Sequence, residues 1–179
     1  MIIFKKIRWR NFLSTGNVFS EIDLRSSKTN LIVGTNGAGK STILDALTFS
    51  LFGKPFRKIN KPMLVNSINE KDCLTEIEFS IGQNEYLVRR GIKPNVFEIE
   101  CNGQLWNQES TLVEQQKNFE ANVLKMNYKS FCSVVILGSR YDSFMNMSPA
   151  DRRKVVEDVL DIEIFSEMNV VLRDRLAKL

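Results

Sequence analysis

Gly34-Thr35-Asn36-Gly37-Ala38-Gly39-Lys40-Ser41 decides the fold, because this stretch fills every fixed position of the pattern G-x-x-x-x-G-K-[ST]. The run Asn30-Leu31-Ile32-Val33 before it is short, apolar and rich in branched residues, which predicts a buried strand. After it, apolar residues recur at helical spacing over residues 43–51. A strand, a glycine-rich loop and a helix in this order predict a phosphate-binding loop.

The residue types of this loop suit a bound triphosphate. Glycines let successive backbone N–H groups turn inward around an anion. The following helix directs its unpaired N–H groups and its positive dipole end at the same point. We expect Lys40 to reach the β- and γ-phosphates and the Ser41 hydroxyl to hold Mg²⁺. A chance glycine turn before a helix is the alternative.

Composition favours one globular domain in the cytoplasm. The chain has 179 residues, of which 43% are hydrophobic, enough for a core. We expect no membrane span, because long apolar runs are absent, and the first residues lack signal-peptide order. Cys73, Cys101 and Cys132 are too widely spaced for a zinc site and indicate reduced thiols, expected to act as small buried hydrophobes.

The absence of histidine excludes Ser-His-Asp and Cys-His catalysis and histidine metal sites. A net charge of +4 is compatible with a polyanionic partner without establishing one.

Antiparallel strands are predicted on both sides of the loop. Ile2–Arg10 alternates apolar and basic residues, which indicates a strand with one basic face. Residues 11–17 read as a turn and residues 18–24 as a second strand. Residues 73–106 predict a meander with a hairpin turn at Asn102-Gly103. This layout differs from that of small kinases and GTPases.

Helix ends are marked by capping residues. Gly53 is placed to end the helix after the loop. Thr111 and Glu114 resemble a capping box for a helix to about Lys125. Ser148 and Pro149 begin a later helix. Between these helices, residues 131–137 predict a buried strand, followed by a loop over residues 138–147.

The last segment, from Phe165 to Leu179, carries apolar residues at three- and four-residue spacing. It is either an ordinary amphipathic helix or the start of a coiled coil.

Two basic segments leave two interpretations open. The segment over residues 54–62 contains no acid, so it is either a solvated loop or a contact for DNA phosphates through Lys54, Arg57, Lys58 and Lys61. Arg152-Arg153-Lys154 opposes the dipole of its helix, which fits either a solvated face or an anionic partner.

Parts of a hydrolytic site are not evident in the sequence. An ATPase of this type needs an acidic residue at the end of an apolar strand, whereas Glu157, Asp158 and Asp161 fall in a predicted helix. The guanine-reading pattern N-K-x-D is also missing, since Asn60-Lys61-Pro62-Met63 fails at its last position. The chain is therefore expected to hold a nucleotide without hydrolysing it alone.

Taken together, the basic strand, Asn11-Phe12, the phosphate loop and Leu44-Asp45-Ala46-Leu47 resemble the N-terminal half of the SMC-like DNA repair ATPases of the Rad-fifty/SbcC type. The phage branch of this family is similar over three further segments, at residues 51–57, 91–99 and 152–158. The resemblance covers the whole chain.

This resemblance implies a P-loop fold of mixed α/β (α+β) type, an ABC-ATPase-like half-head with an antiparallel β subdomain. Residues 1–160 would form the N-terminal lobe, with the loop at 34–41 and the meander at 73–106, and residues 161–179 would begin a coiled-coil helix. The C-terminal half would supply the signature loop and the catalytic acid. The implied partners are that half, a second copy of the head, an Mre-type nuclease subunit and double-stranded DNA, and the cofactors are ATP and Mg²⁺.

The expected nucleotide-binding set is Asn36, Gly37, Ala38, Gly39, Lys40, Ser41 and Thr42, with Lys40 as the catalytic residue and Ser41 as the magnesium ligand. Two positions depart from the family. Leu137 stands where a glutamine is usual, and Leu13 stands where a basic residue is common, so Arg8, Arg10 or Ser14 is the candidate to approach the nucleotide instead. A DNA-binding or assembly module with a structural loop and a small-molecule kinase are the competing functions.

Overall fold

The computed structural model describes residues 2–27, 29–106, 111–136, 144–160 and 162–176. The chain divides into two compact units, Met1–Gln115 and Gln116–Leu179. The assignment of residues 1–160 to a lobe and of residues 161–179 to a coiled coil stays a prediction.

The first unit contains a six-stranded antiparallel sheet with the strand order β2-β1-β3-β4-β5-β6. Its strands are β1 (Ile2–Arg10), β2 (Ser20–Asp23), β3 (Cys73–Ile81), β4 (Asn84–Ile92), β5 (Val96–Cys101) and β6 (Gln104–Leu105). The predicted first strand, second strand and meander are therefore confirmed. Together with the helices, the sheet makes a mixed helix and strand fold, as predicted.

One face of this sheet is apolar because alternate residues of each strand point to the same side. Ile7, Ile77, Val88 and Ile99 lie in register across four strands and are all buried. Helix α1 (Lys40–Phe52) contacts β1, β3 and β4. Phe49 of this helix joins the core beside Phe12, with ring centroids 5.6 Å apart.

The opposite face carries a ladder of alternating charges. Its residues in register are Glu21, Arg8, Glu76, Arg89 and Glu98, one from each of five neighbouring strands. The Glu76 side chain is 6% exposed, and its carboxylate lies 2.5 Å from Arg8 Nε and 3.7 Å from Arg89 Nε. The basic face predicted for β1 is therefore largely paired with carboxylates of its neighbours.

Gly53 ends α1, as predicted, in the left-handed conformation at φ 68°. Its N–H donates to Phe49 O at 2.8 Å. A Cβ at this position would lie 2.9 Å from Arg90 Nη1. The Arg90 side chain cannot withdraw freely, because its Nε donates to Ser50 O and its guanidinium stacks 3.6 Å from the centroid of the Phe97 ring.

We expect Gly53→Ala to destabilise the chain more than Gly82→Ala, measured as the free energy of unfolding in urea. Both glycines have positive φ, but a Cβ at Gly82 meets nothing within 4 Å. The backbone cost is about 1–2 kcal/mol at either position. The contact with Arg90 adds about 1 kcal/mol at Gly53. Equal losses at the two positions would contradict this packing.

Helices dominate the chain after the sheet. They are α2 (Leu112–Asn118), a π-helical continuation (Phe119–Leu124), α3 (Tyr128–Ser130), a second π-helical segment (Phe131–Val135), α4 (Pro149–Val159) and α5 (Glu163–Leu176). Both predicted caps are confirmed. The Thr111 hydroxyl accepts from Glu114 N at 3.2 Å, and the Ser148 hydroxyl accepts from Asp151 N at 3.2 Å.

The strand predicted over residues 131–137 is wrong. Asn127 caps a helix here by accepting from Ser130 N at 3.0 Å, and the helical turn continues through Val135. The Ser133 hydroxyl donates to Lys129 O, one helical turn back. A short apolar run does not distinguish a strand from a buried helix by pattern alone. Leu137 and most of the predicted loop at 138–147 lie outside the described residues, which resume with a single 3-10 turn at Phe144–Asn146.

The strand predicted at Asn30-Leu31-Ile32-Val33 is also wrong for this chain. No secondary structure is assigned there, and Leu31 and Val33 are 87% and 80% exposed. Among the described residues, no strand offers hydrogen bonds to this segment. A strand forms only where a neighbouring strand satisfies its backbone groups, so the sequence preference is not realised here.

Two of the three thiols behave as the composition predicts. Cys73 and Cys132 are buried, and burial raises the pKa of Cys73 to about 12 and that of Cys132 to about 11. Both thiols therefore stay protonated at neutral pH. Cys101 is half-buried.

Candidate nucleotide-binding site

A cleft of about 470 Å³ lies beside the glycine-rich loop in the first unit. Four parts of the chain contribute to it. The loop and the start of α1 supply Gly37, Ala38, Gly39, Lys40, Thr42 and Ile43. The turn after β1 supplies Ser14 and Thr15, and the strands supply Trp9, Ser20, Glu21 and Ile22. Ile32 and Val33 complete the lining.

The loop backbone has the conformation that anion binding requires. Gly37 and Gly39 both have φ 87°, the left-handed region that glycine enters without steric cost. The turn from Thr35 to Ala38, which contains Gly37, is closed by Ala38 N donating to Thr35 O at 3.2 Å. Helix α1 starts directly afterwards at Lys40, and no side chain among the described residues caps its first turn. Thr42 N donates to Gly39 O at 2.9 Å, so the N–H groups that this helix start offers to an anion at the loop are those of Lys40 and Ser41.

Lys40 is held at this loop by its own backbone. Its Nζ donates to Gly34 O and to Thr35 O, both at 2.7 Å. An ammonium group held by two neutral carbonyls exchanges readily for phosphate oxygens, because hydrogen bonds between ions are the stronger ones. The residues present thus fit a triphosphate, with Lys40 supplying positive charge where the terminal phosphates would lie.

The structure brings together five of the seven predicted nucleotide ligands. Those lining the cleft are Gly37, Ala38, Gly39, Lys40 and Thr42. Asn36 and Ser41 are exposed and lie on the same loop and first helical turn, but they do not line the cleft. A hydroxyl on the first turn remains suited to a magnesium ion bound to the phosphates.

Of the three residues considered as replacements for a basic residue after Asn-Phe, only Ser14 lines the cleft. Arg8 is paired with Glu76. The guanidinium groups of Arg8 and Arg10 lie 4.8 Å and 5.0 Å from the centroid of the Phe19 ring. Neither arginine lines the cleft.

Sequence reasoning missed Trp9, Thr15 and Glu21 as lining residues. The position of Trp9 could have been predicted from the alternation of β1, which places it on the apolar face with Ile7. Thr15 and Glu21 were not, because their position depends on how the turn after β1 folds back.

Acidic groups are scarce at this cleft. Among the described residues that line the cleft, Glu21 supplies the one carboxylate. Its Oε2 lies 2.9 Å from Lys6 Nζ. The carboxylate of Asp158 in α4 accepts from Asn127 N, and that of Glu157 accepts from Arg153 Nε at 2.9 Å. Asp161 lies outside the described residues. Within the described chain, no set of three or more cysteine or carboxylate side chains is arranged to hold a metal ion.

The basic segment after α1 is anchored by a buried acid. Arg57 Nε donates to Asp45 Oδ2 at 2.6 Å, and Arg57 N donates to Asp45 Oδ1 at 2.9 Å. The Asp45 side chain is fully buried. Arg57 is thus engaged inside the protein, whereas Lys58 and Lys61 are exposed.

None of the helices in the described parts of the chain combines the length and the apolar character that a membrane crossing requires.

Residues 6–163 match the AAA domain family. Exonuclease subunit 2 of Enterobacteria phage T4 is 42% identical over 165 residues, which are 92% of this chain and 29% of that protein. The DNA double-strand break repair Rad50 ATPase of Thermoplasma acidophilum is 34% identical over 178 residues, 97% of this chain and 19% of that protein. The chain thus spans less than a third of the length of these relatives.

Among solved structures, the Smc head domain of Pyrococcus furiosus, crystallised with an extended coiled coil and bound to the C-terminal domain of ScpA, superposes with a TM-score of 0.69 at 26% identity. The match covers 99% of this chain and 46% of that chain. The loop geometry, the family match and these relatives lead to one conclusion. The chain belongs to the AAA domain family and, over most of its length, is similar to a DNA double-strand break repair Rad50 ATPase and to a phage exonuclease subunit.

Proposed function

We propose that this chain is the ATP-binding N-terminal part of the head of a DNA double-strand-break repair and recombination ATPase. The observation that carries the proposal is the phosphate loop. Two left-handed glycines, an uncapped helix start and the Lys40 amine converge at one cleft. The loop would bind ATP, and Ser41 would hold the Mg²⁺ that accompanies it.

The test is a titration of the chain with ATP and Mg²⁺ in which tryptophan fluorescence reports binding, because Trp9, one of the two tryptophans, lines the cleft. Saturable quenching is expected. A chain that binds no ATP would overturn the proposed function.

Hydrolysis would require a further segment that supplies the signature loop and the catalytic acid. Two features support this. Leu31 and Val33 are exposed next to the loop, although their sequence favours a strand, so a strand from another segment would complete a sheet there. The described lining also offers only the Glu21 carboxylate, which is paired with Lys6. On this proposal the chain alone is inactive as an ATPase.

The exposed apolar side of α5 supports the coiled-coil interpretation of the last segment. Phe165, Met168 and Leu172 are 62%, 54% and 53% exposed. Their spacing suits packing against a second helix. The proposed protein partners are the C-terminal half of the head, a second copy of the head and an Mre-type nuclease subunit that ATP-dependent dimerisation of the heads would regulate. The printed name of the T4 relative, exonuclease subunit 2, supports the nuclease partner.

Double-stranded DNA is the proposed nucleic-acid partner, contacted through Lys54, Lys58 and Lys61 of the basic segment, whereas Arg57 is held by Asp45. The charged face of the sheet is less suited than this segment to bind DNA. Its two rows in register hold six carboxylates against three cations, namely Glu21, Asp23, Glu76, Glu78, Glu98 and Glu100 against Lys6, Arg8 and Arg89. Such a face repels phosphates.

We expect Lys58→Ala with Lys61→Ala to weaken duplex binding and to lower the slope of log K against log salt by about 1.8, or about 0.9 for each lost phosphate contact. Both lysines are exposed. The matched control is Lys71→Ala with Lys117→Ala, which removes two other exposed lysines. An unchanged slope in the first variant, or an equal fall in the control, would place the DNA site elsewhere.

A further inference from the structure

The turn after β1 supplies Ser14 and Thr15 to the cleft, yet its backbone is unfavourable on its own. Asn11 and Leu13 have φ 48° and 54°, in the left-handed region that residues with a Cβ rarely adopt. A conformation of this kind persists only where the surrounding structure holds it. The groups that hold this turn therefore control one wall of the cleft.

Asn66, which does not line the cleft, is one of the residues that hold this turn. Its Nδ2 donates to Leu13 O at 3.0 Å and to Thr15 O at 3.1 Å, the carbonyls on either side of Ser14. Its Oδ1 accepts from Ile68 N at 2.9 Å and from Asn69 N at 3.1 Å. All four hydrogen-bonding positions of this carboxamide are thus used, and the residue is 5% exposed.

Backbone bonds around Asn66 strengthen the same connection. Asn66 N donates to Asn11 O at 2.9 Å, and Leu13 N donates to Leu64 O at 2.6 Å. Phe12 and Val65 form an isolated β-bridge between the two segments. The turn is therefore fixed to residues 64–66, and the Asn66 side chain holds the carbonyls on both sides of Ser14.

We infer that Asn66 is a positioning residue for the nucleotide cleft, setting the turn that faces the nucleoside part of the ligand while the loop takes the phosphates. The inference rests on the proposed function. The assignment of the turn to the nucleoside follows from which groups line each part of the cleft. The anion-binding groups belong to the loop and α1, whereas the turn contributes hydroxyls.

Asn66→Asp distinguishes the hydrogen bonds that Asn66 donates to the turn from those that it accepts from residues 68 and 69. The carboxylate still accepts from Ile68 N and Asn69 N, but it places negative charge against the carbonyls of Leu13 and Thr15. The matched control is Asn102→Asp, at a hairpin residue whose Oδ1 accepts from Glu85 N and whose Nδ2 donates to Asn84 Oδ1. Asn102 does not line the cleft.

The experiment measures the affinities of the wild type and both variants for Mg²⁺ with ATP and for Mg²⁺ with inorganic tripolyphosphate. We expect Asn66→Asp to weaken ATP binding at least about tenfold, to change tripolyphosphate binding less than about twofold, and Asn102→Asp to change neither. Unchanged ATP affinity in Asn66→Asp, or an equal loss for both ligands, would overturn the inference. A wild type that binds neither ligand would instead overturn the proposed function.

Circular dichroism shows whether Asn66→Asp folds. If it does not, Asn66→Ser tests the same contact, because it removes the Nδ2 that donates to Leu13 O and Thr15 O without adding a charge. The same selective loss of ATP affinity is then expected. An equal loss for both ligands, or none, would overturn the inference.

Discussion

Lys40→Ala is expected to lower the affinity of the chain for ATP with Mg²⁺ by about a hundredfold or more. Lys40 is the cation at the start of α1, and its Nζ already lies where two loop carbonyls converge. A hydrogen bond to a charged group contributes about 1.5–3 kcal/mol, and two of them correspond to at least about a hundredfold in affinity. Titration followed by tryptophan fluorescence measures the change.

Lys71→Ala is the control, because Lys71 is an exposed lysine of the same unit that does not line the cleft. Its ATP affinity should equal that of the wild type. If Lys40→Ala bound ATP as tightly as the control, the loop would be structural, which is the expectation for a DNA-binding or assembly module.

Arg57→Ala should reduce the free energy of unfolding by about 3 kcal/mol or more, measured by urea denaturation. The substitution leaves the Asp45 carboxylate, which is fully buried, without its guanidinium partner. Removing one partner of a buried ion pair typically costs about 3–5 kcal/mol. The Arg57 side chain is itself 30% exposed, so we expect the lower end of this range.

Two variants distinguish a buried ion pair from a surface charge. Lys58→Ala removes the neighbouring exposed lysine and should change the free energy of unfolding by less than about 0.5 kcal/mol. Adding Asp45→Asn to Arg57→Ala removes the orphaned charge and should recover part of the loss. If Arg57→Ala were as stable as Lys58→Ala, Arg57 would be available to DNA as the sequence suggested.

The antiparallel sheet could be predicted because its signal is local. Ile2–Arg10 alternates with period two, and the confirmed strand β1 has these bounds. Gly53 and Ser148 marked a helix end and a helix start through capping geometry that depends on a few neighbouring residues.

Two of the missed features depend on other parts of the chain, and the third depends on a pattern too short to interpret. Whether Leu31-Ile32-Val33 forms a strand depends on a hydrogen-bonding neighbour, which the described residues do not supply. The apolar run from Phe131 to Val135 contains too few residues to separate period two from period 3.6. The pairing of Arg57 with Asp45 joins a loop to a helix residue twelve positions earlier. The basic segment contains no acid itself, so its sequence did not indicate this carboxylate partner.

The part of the cleft lining that comes from one contiguous stretch could also be predicted. The loop pattern identified Gly37, Gly39 and Lys40 as residues that lie together, because one contiguous stretch carries the motif. Ser14 was considered through the resemblance to a family. The roles of Thr15 and Asn66 follow from the folding of the turn after β1, which pairs with residues 64–66.

The most direct test of the account is a single-turnover assay of ATP hydrolysis with the chain alone and with the C-terminal half of the head added. We predict that the chain alone binds ATP without cleaving it and that the added half, which brings the catalytic acid, starts hydrolysis. Rapid hydrolysis by the chain alone, or no hydrolysis after the addition, would contradict the proposal that two segments share one ATPase site.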